Sequence, residues 1–127
     1  MELMKNKAKV LLWQLPETDP KGHAIRGYLR DHGIAAVSAN PMDSGRTLSA
    51  ILGVGKGNMG KAQPLPKEPV MVLYGFDEEQ LDEFLGFLRQ EAPVELKAVA
   101  TVHNLKWTLG YLAGQLMAER AYYAKRN

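Results

Sequence analysis

Three histidines (His23, His32 and His103), three serines (Ser38, Ser44 and Ser49) and no cysteine are what this sequence offers for nucleophilic, acid–base or metal chemistry. His23 and His32 stand nine apart within one helical stretch, so at about 100° per residue they leave opposite sides of it. Neither makes the i, i+4 pair that a helical zinc site needs, and no carboxylate nearby supplies a third ligand. No serine sits in a nucleophile elbow or beside a histidine. The absence of cysteine removes disulfides, thiolate catalysis and Cys-ligated zinc or iron–sulfur centres. No catalytic residue, metal or cofactor is expected. The remaining polar groups gather at strand-to-helix turns: Gln14, Asn40, Gly75 with Phe76, and the run Lys97, Thr101, His103, Asn104. If the strands are parallel, their carboxyl ends share a rim of the kind where α/β proteins hold ligands, and these eight residues form the expected ligand-binding set. An enzyme working at that rim through Lys97, Thr101, His103 and Asn104 is the alternative, and it requires those side chains to converge in a pocket.

The stretch 55–62, G-K-G-N-M-G-K-A, matches two phosphate-binding patterns in spacing, G-x-G-x-x-G and G-x4-G-K. Both work by presenting backbone N–H groups between a strand and a helix. Here a short helical stretch precedes, A-Q-P-L-P follows, and Ala62 occupies the magnesium-binding Ser or Thr position, so a surface loop is expected. A loose nucleic-acid contact through Lys56, Lys61 and Lys67 is the weaker alternative. A phosphoacceptor receiver is excluded, because Trp13-Gln14-Leu15 follows the first strand where clustered carboxylates would be needed.

The elements that must position these residues are legible in order. Residues 10–13 (V-L-L-W) and 70–74 (V-M-V-L-Y) are continuous apolar runs, as in strands covered on both faces. Asp19-Pro20 starts a helix whose stripe holds Ile25, Tyr28 and Leu29 and which ends at Gly33. A second, smaller strand covers 34–39. Asp43 or Ser44 caps a short helix with Leu48, Ile51 and Leu52 inward. A Gly- and Pro-rich loop fills 53–69, longer than most loops in compact domains. Asp77 with Gln80 forms a capping box, and Phe76 with Leu81 the hydrophobic staple, ahead of the stripe Leu81, Phe84, Leu85, Leu88. Residues 95–101 form the last strand, with Lys97 guarding an edge. Asn104 is the expected cap of a final helix that runs past Glu119 and frays over 124–127. Trp107, Tyr111, Ala118 and Tyr122 form its second stripe.

Residues 10–39 and 70–101 each run strand, helix, strand, about sixty positions apart with few matching residues, which reads as an architectural repeat. The expectation is one α/β domain spanning 1–127. Its two βαβ units form a four-stranded, mostly parallel sheet of order 2-1-3-4, with helices on both faces. A ferredoxin-like α+β sandwich with an added C-terminal helix is the alternative.

A formal charge of +2 is too small to argue for nucleic acid, and no run approaches the ~20 apolar residues of a membrane span. The short apolar run before Pro16 does not make a signal peptide. A cytoplasmic protein is expected. Tyr111, Tyr122 and Tyr123 are candidate partner-binding residues, because aromatics dominate interface hot spots; a homodimer is one form such a partner could take.

From Val70 to about Ala121 the chain resembles the bacterial family known as domain of unknown function 3783. The matching features are the strand ending Gly75-Phe76, Leu81-Asp82 and Leu85, and the run Leu96-Lys97-Ala98 with Thr101, Asn104 and Trp107; Leu112 and Glu119 follow. Ala100 stands where the family commonly has leucine. The resemblance implies a bacterial, cytoplasmic origin and brings no activity, substrate or cofactor. The functional expectation is a small non-enzymatic binding or regulatory module for an unidentified protein or small ligand.

Overall fold

The computed structural model describes residues 7–126. Its sheet has the order β2-β1-β3-β4, with β1 at Lys9–Trp13, β2 at Ala35–Ser38, β3 at Val70–Tyr74 and β4 at Leu96–Val99. β1 pairs β2 in parallel and β3 pairs β4 in parallel. The central pair is antiparallel, with Leu11 opposite Val72. The α/β class, the strand order and the two parallel pairs are as the sequence indicates. The direction of one half relative to the other is what the apolar runs leave open.

Successive strand residues point to opposite faces, so a continuous apolar run supplies both. Val10, Leu12, Met71 and Leu73 face the helices α1 (Pro20–Asp31) and α3 (Glu78–Glu91), and pack on Ile25, Leu29, Phe84 and Leu88. Leu11 and Val72 face the other way, toward Leu48, Ile51 and Leu52 of α2 (Leu48–Leu52) and Leu109 and Leu112 of α4 (Leu109–Arg126). Trp13, Val70, Leu96 and Ala113 extend that second layer. Helices therefore cover both faces, which leaves no polar alternation in β1 or β3.

The helix starts follow the expected chemistry. The Asp19 carboxylate accepts the Gly22 N–H at 3.1 Å, with Pro20 at the first helical position. Asp77 and Gln80 exchange bonds at 2.8 and 3.0 Å. Asn104 is a correction. It heads the 3-10 turn Asn104–Lys106, and α4 begins five residues later, where the Thr108 hydroxyl accepts the Tyr111 N–H at 3.1 Å. α4 stays helical through Arg126 instead of fraying from 124; Asn127 lies outside the described residues.

The 53–69 loop is a strap rather than a free tether. The Gly60 N–H donates to the Gly45 carbonyl at 2.6 Å, Met59 bridges Arg46, and the Trp13 indole donates to the Pro66 carbonyl at 2.8 Å. A Cβ on Gly57 would lie 2.0 Å from the Thr47 hydroxyl, and one on Gly60 would lie 2.8 Å from the Thr108 methyl. The phosphate-like glycine pattern thus lets the strap cross the Thr47–Thr108 bridge at close range.

At the far end of α4 the Arg120 guanidinium holds Glu68 at 2.7 and 2.8 Å and Glu95 at 2.5 Å. The bond from Arg120 keeps the Glu68 carboxyl below its ordinary value of 4.5. A folded pKa below the unfolded one adds stability above the unfolded value and loses it as pH falls through the folded one. Between about pH 5 and pH 3 the melting temperature of the parent should therefore fall more than that of Arg120→Gln, as read by thermal denaturation.

Candidate functional site

With the central pair antiparallel, the carboxyl ends of the four strands divide between two ends of the sheet. Gln14 and Asn40 follow β1 and β2 at one end; Gly75, Phe76, Thr101, His103 and Asn104 follow β3 and β4 at the other. The single rim anticipated for all of them is therefore two rims. Lys97 joins neither: it is exposed on the edge strand, and its ammonium donates to the Val94 carbonyl at 2.8 Å. His103 is exposed and Phe76 packs under α3. Thr101 and Asn104 are brought together, each bonding the other's backbone N–H, at 2.8 and 3.1 Å. Tyr111, Tyr122 and Tyr123 are all exposed on α4, Tyr111 in edge contact with the half-buried Trp107.

At the first rim the chain builds a cleft of about 550 Å³ between the ends of β1 and β2. Its floor and walls come from Leu12, Trp13, Leu15, Pro16, Ala39 and Pro41, and its polar groups are Gln14, Glu17, Arg26, Ser38 and Asn40. Gln14 and Asn40 are the residues the sequence marks. Arg26 is one it misses, because a single arginine on an amphipathic helix reads as solvated. The structure makes it a strut: its Nε donates to the Leu15 carbonyl at 2.9 Å and its Nη2 to the Ser38 hydroxyl at 2.8 Å. A guanidinium held at two points is oriented before any ligand arrives.

Subtracting the internal bonds leaves a cleft rich in donors. The Asn40 carbonyl oxygen already accepts the Met42 N–H at 2.9 Å, which leaves its NH₂. The Ser38 hydroxyl accepts from Arg26, which leaves its O–H. The Arg26 Nη1 makes no hydrogen bond among the described residues, and the one acidic side chain of the lining, Glu17, meets the His23 ring at 2.7 Å. Such a set suits an acceptor-rich group, above all a carboxylate or phosphate oxygen.

Gln14 also sits at φ +62°, the one non-glycine in the left-handed region among the described residues; the corresponding strand end after β3 uses Gly75 at φ +77°. For a side chain with a Cβ that conformation costs about 1–2 kcal/mol, offset in part by about 0.5–1 kcal/mol of extra chain entropy that glycine would lose on folding. Strain of this kind collects where a ligand site needs a side chain. Gln14→Gly should leave stability unchanged or raise it by up to about 1.5 kcal/mol in urea denaturation. A loss of stability would mean that the Gln14 side chain holds the fold together.

Among the described residues no group of three or more His, Asp or Glu could hold a metal ion, and no helix is long and apolar enough to cross a membrane. Comparison with curated proteins returned no match, and comparison with solved structures returned none. The strand β3 with its Gly75 turn, α3, β4, the Thr101–Asn104 turn and most of α4 do have a counterpart: residues 69–123 match the family described as Domain of unknown function (DUF3783).

Proposed function

We propose that this protein is a small binding module that seats the anionic end of a small ligand in the cleft between β1 and β2, without chemistry on it. The observation that carries the reading is the tethered Arg26 guanidinium, which shares the lining of one cleft with the Ser38 and Asn40 donors, at a strand end that keeps a strained Gln14. Apolar walls with a few convergent polar groups are the usual make-up of small-molecule sites. The non-enzymatic part rests on the lining: Ser38 is bonded to an arginine instead of a base, and Glu17 is engaged by His23. A cysteine-free bacterial protein working in a reducing cytoplasm is consistent with this.

The test is a titration of labelled protein with a panel of small carboxylates and phosphomonoesters, followed by amide and Arg Nε shifts. Shifts should concentrate on Gln14, Arg26, Ser38 and Asn40. Arg26→Gln should weaken binding about tenfold or more, the value of about 1.5–3 kcal/mol for a hydrogen bond to a charged group. Binding that ignores this substitution, or shifts confined to the other end of the sheet, would refute the assignment.

A second reading rests on α4, whose residues 121–125 are all exposed and include Tyr122 and Tyr123 at 56% and 64% exposure. That end is a protein-docking surface in this reading, with Tyr111 further up the helix.

A further inference from the structure

The two halves share more than an order of elements. From Lys9 to Val70 the displacement is 61 residue numbers, and the same displacement relates β1 to β3, the left-handed residues Gln14 and Gly75, and β2 to β4. It also relates two turns bonded alike: the Asn40 N–H donates to the Asp43 carboxylate at 2.9 Å, and the Thr101 N–H donates to the Asn104 side-chain oxygen at 2.8 Å. Within the helices the displacement is 59. There R-G-Y-L-R over 26–30 stands against L-G-F-L-R over 85–89, and Gly27 and Gly86 each lie 3.8 Å, by a built Cβ, from the arginine three residues on.

Equivalent residues also meet each other, layer by layer. On the α1 and α3 side, Tyr28 stacks on Phe87 at 4.5 Å. In the sheet, Leu11 is the cross-strand partner of Val72. On the opposite face Thr47 bridges Thr108, flanked by reciprocal bonds: the Leu48 N–H donates to the Trp107 carbonyl at 2.9 Å, and the Leu109 N–H to the Arg46 carbonyl at 3.0 Å. Self-pairing of equivalent positions is what a two-fold axis imposes on identical subunits. Two unrelated βαβ units packed side by side have no reason to pair equivalent positions in three separate layers.

We infer that residues 9–52 are a second, diverged copy of the unit matched at 69–123, and that the molecule is a fused two-fold pair whose internal interface is that of one unit with a second copy of itself. The 53–69 strap joins the copies and crosses the axis. Some of the differences between the copies fall at the cleft. Gln14, Ser38 and Asn40 face Gly75, Val99 and Thr101 as counterparts, and Arg26 faces Leu85. The β1–α1 turn has five residues between strand and cap, 14–18, where the β3–α3 turn has two, 75 and 76, and four of those five, Gln14, Leu15, Pro16 and Glu17, line the cleft. If the proposed function holds, the first copy carries the turn suited to a polar ligand, while the second has only Gly75 and Phe76 there.

The full-length test replaces residues 9–52 by residues 70–113, which are equal in number, leaving a chain of the same length. It should unfold cooperatively, and amide resonances of the two halves should largely coincide, so that well-dispersed peaks fall toward half the parent's number. A folded chain with two fully separate sets would overturn the inference. Should that chain not fold, a gentler exchange decides. Leu11→Val with Val72→Leu, combined with Tyr28→Phe and Phe87→Tyr, exchanges two pairs of counterparts across the axis and leaves the residue types in each contact unchanged. It should melt within about 3 °C of the parent, whereas a loss equal to the sum of the four single variants would overturn the equivalence.

Discussion

Phe84→Ala should destabilise the protein by about 3–5 kcal/mol, the range for removing a fully enclosed ring from a packed core. Phe84 has no exposed surface and is the largest of the fully buried side chains. Its ring lies 5.2 Å from Tyr28, 5.7 Å from Phe76 and 6.3 Å from Phe87, centroid to centroid, so its removal opens a hole beside three other rings at once. Those neighbours sit on α1, α3 and the turn before α3, so no single helix can move in to fill the space without losing its own contacts. Set against the 5–15 kcal/mol of a typical domain, the loss is about a fifth of the total or more. Urea denaturation should show the midpoint falling at unchanged slope. A cost under about 1.5 kcal/mol, the range of a conservative core trim, would mean that the α1–α3 layer collapses around the site.

Much of this architecture was readable because burial leaves a signature in the chain. V-L-L-W and V-M-V-L-Y have no polar alternation, which requires helices on both faces, and the capping chemistry of Asp19 and Asp77 places α1 and α3. The relative direction of the halves was not readable. Apolar runs record that a strand is covered, not which way its neighbour runs, and a loop of the length of 53–69 can return as easily as cross over. Direction is set by the contact between the copies: Leu11 on Val72, Tyr28 on Phe87, Thr47 on Thr108. Each of those pairs involves residues about sixty apart and ordinary in type.

The consequence for the site is direct. Reversing one half sends Gln14 and Asn40 to the opposite end from Thr101 and His103, which dissolves the shared rim and leaves two local ones. Arg26 is hidden in the sequence for a different reason. Its position on α1 faces the β1–α1 turn, and the three-residue excess of that turn over its counterpart supplies the carbonyl it holds, at Leu15. Comparing R-G-Y-L-R with L-G-F-L-R would have marked it, since an arginine stands where the other copy has leucine. Asn104 reads in the sequence as the cap of α4, because N-x-x-W before an apolar stripe looks like a cap. The same T-x-x-N spacing answers N-x-x-D at 40–43, and that correspondence identifies it as a turn latch.

Asn104→Ala should be the second most damaging of these changes, costing about 2–4 kcal/mol, because it strands partners that its amide now satisfies. The side-chain oxygen accepts the Thr101 N–H at 2.8 Å and the NH₂ donates to the Val99 carbonyl at 3.1 Å, with Asn104 itself only 9% exposed. Alanine removes both bonds and offers nothing in return. A buried polar group left without a partner costs about 1–3 kcal/mol, and the exposure of Val99 and Thr101 lets water recover part of it. The counterpart latch shows why Asn rather than Asp is used here. Asp43 gives one oxygen to the Asn40 N–H and the other to the Arg46 guanidinium at 3.0 Å, a partner that welcomes the charge. At Asn104 the second atom faces the Val99 carbonyl oxygen, so Asn104→Asp keeps the acceptor but sets a carboxylate against a carbonyl. Its loss at pH 7 should match or exceed that of the alanine variant and shrink on acidification through the carboxylate range, where a protonated oxygen can donate to Val99. Denaturation of the two variants at pH 7 and pH 4 separates these effects: an aspartate variant as stable as the parent at pH 7 would show that the Val99 bond contributes nothing and that the latch rests on the Thr101 N–H alone.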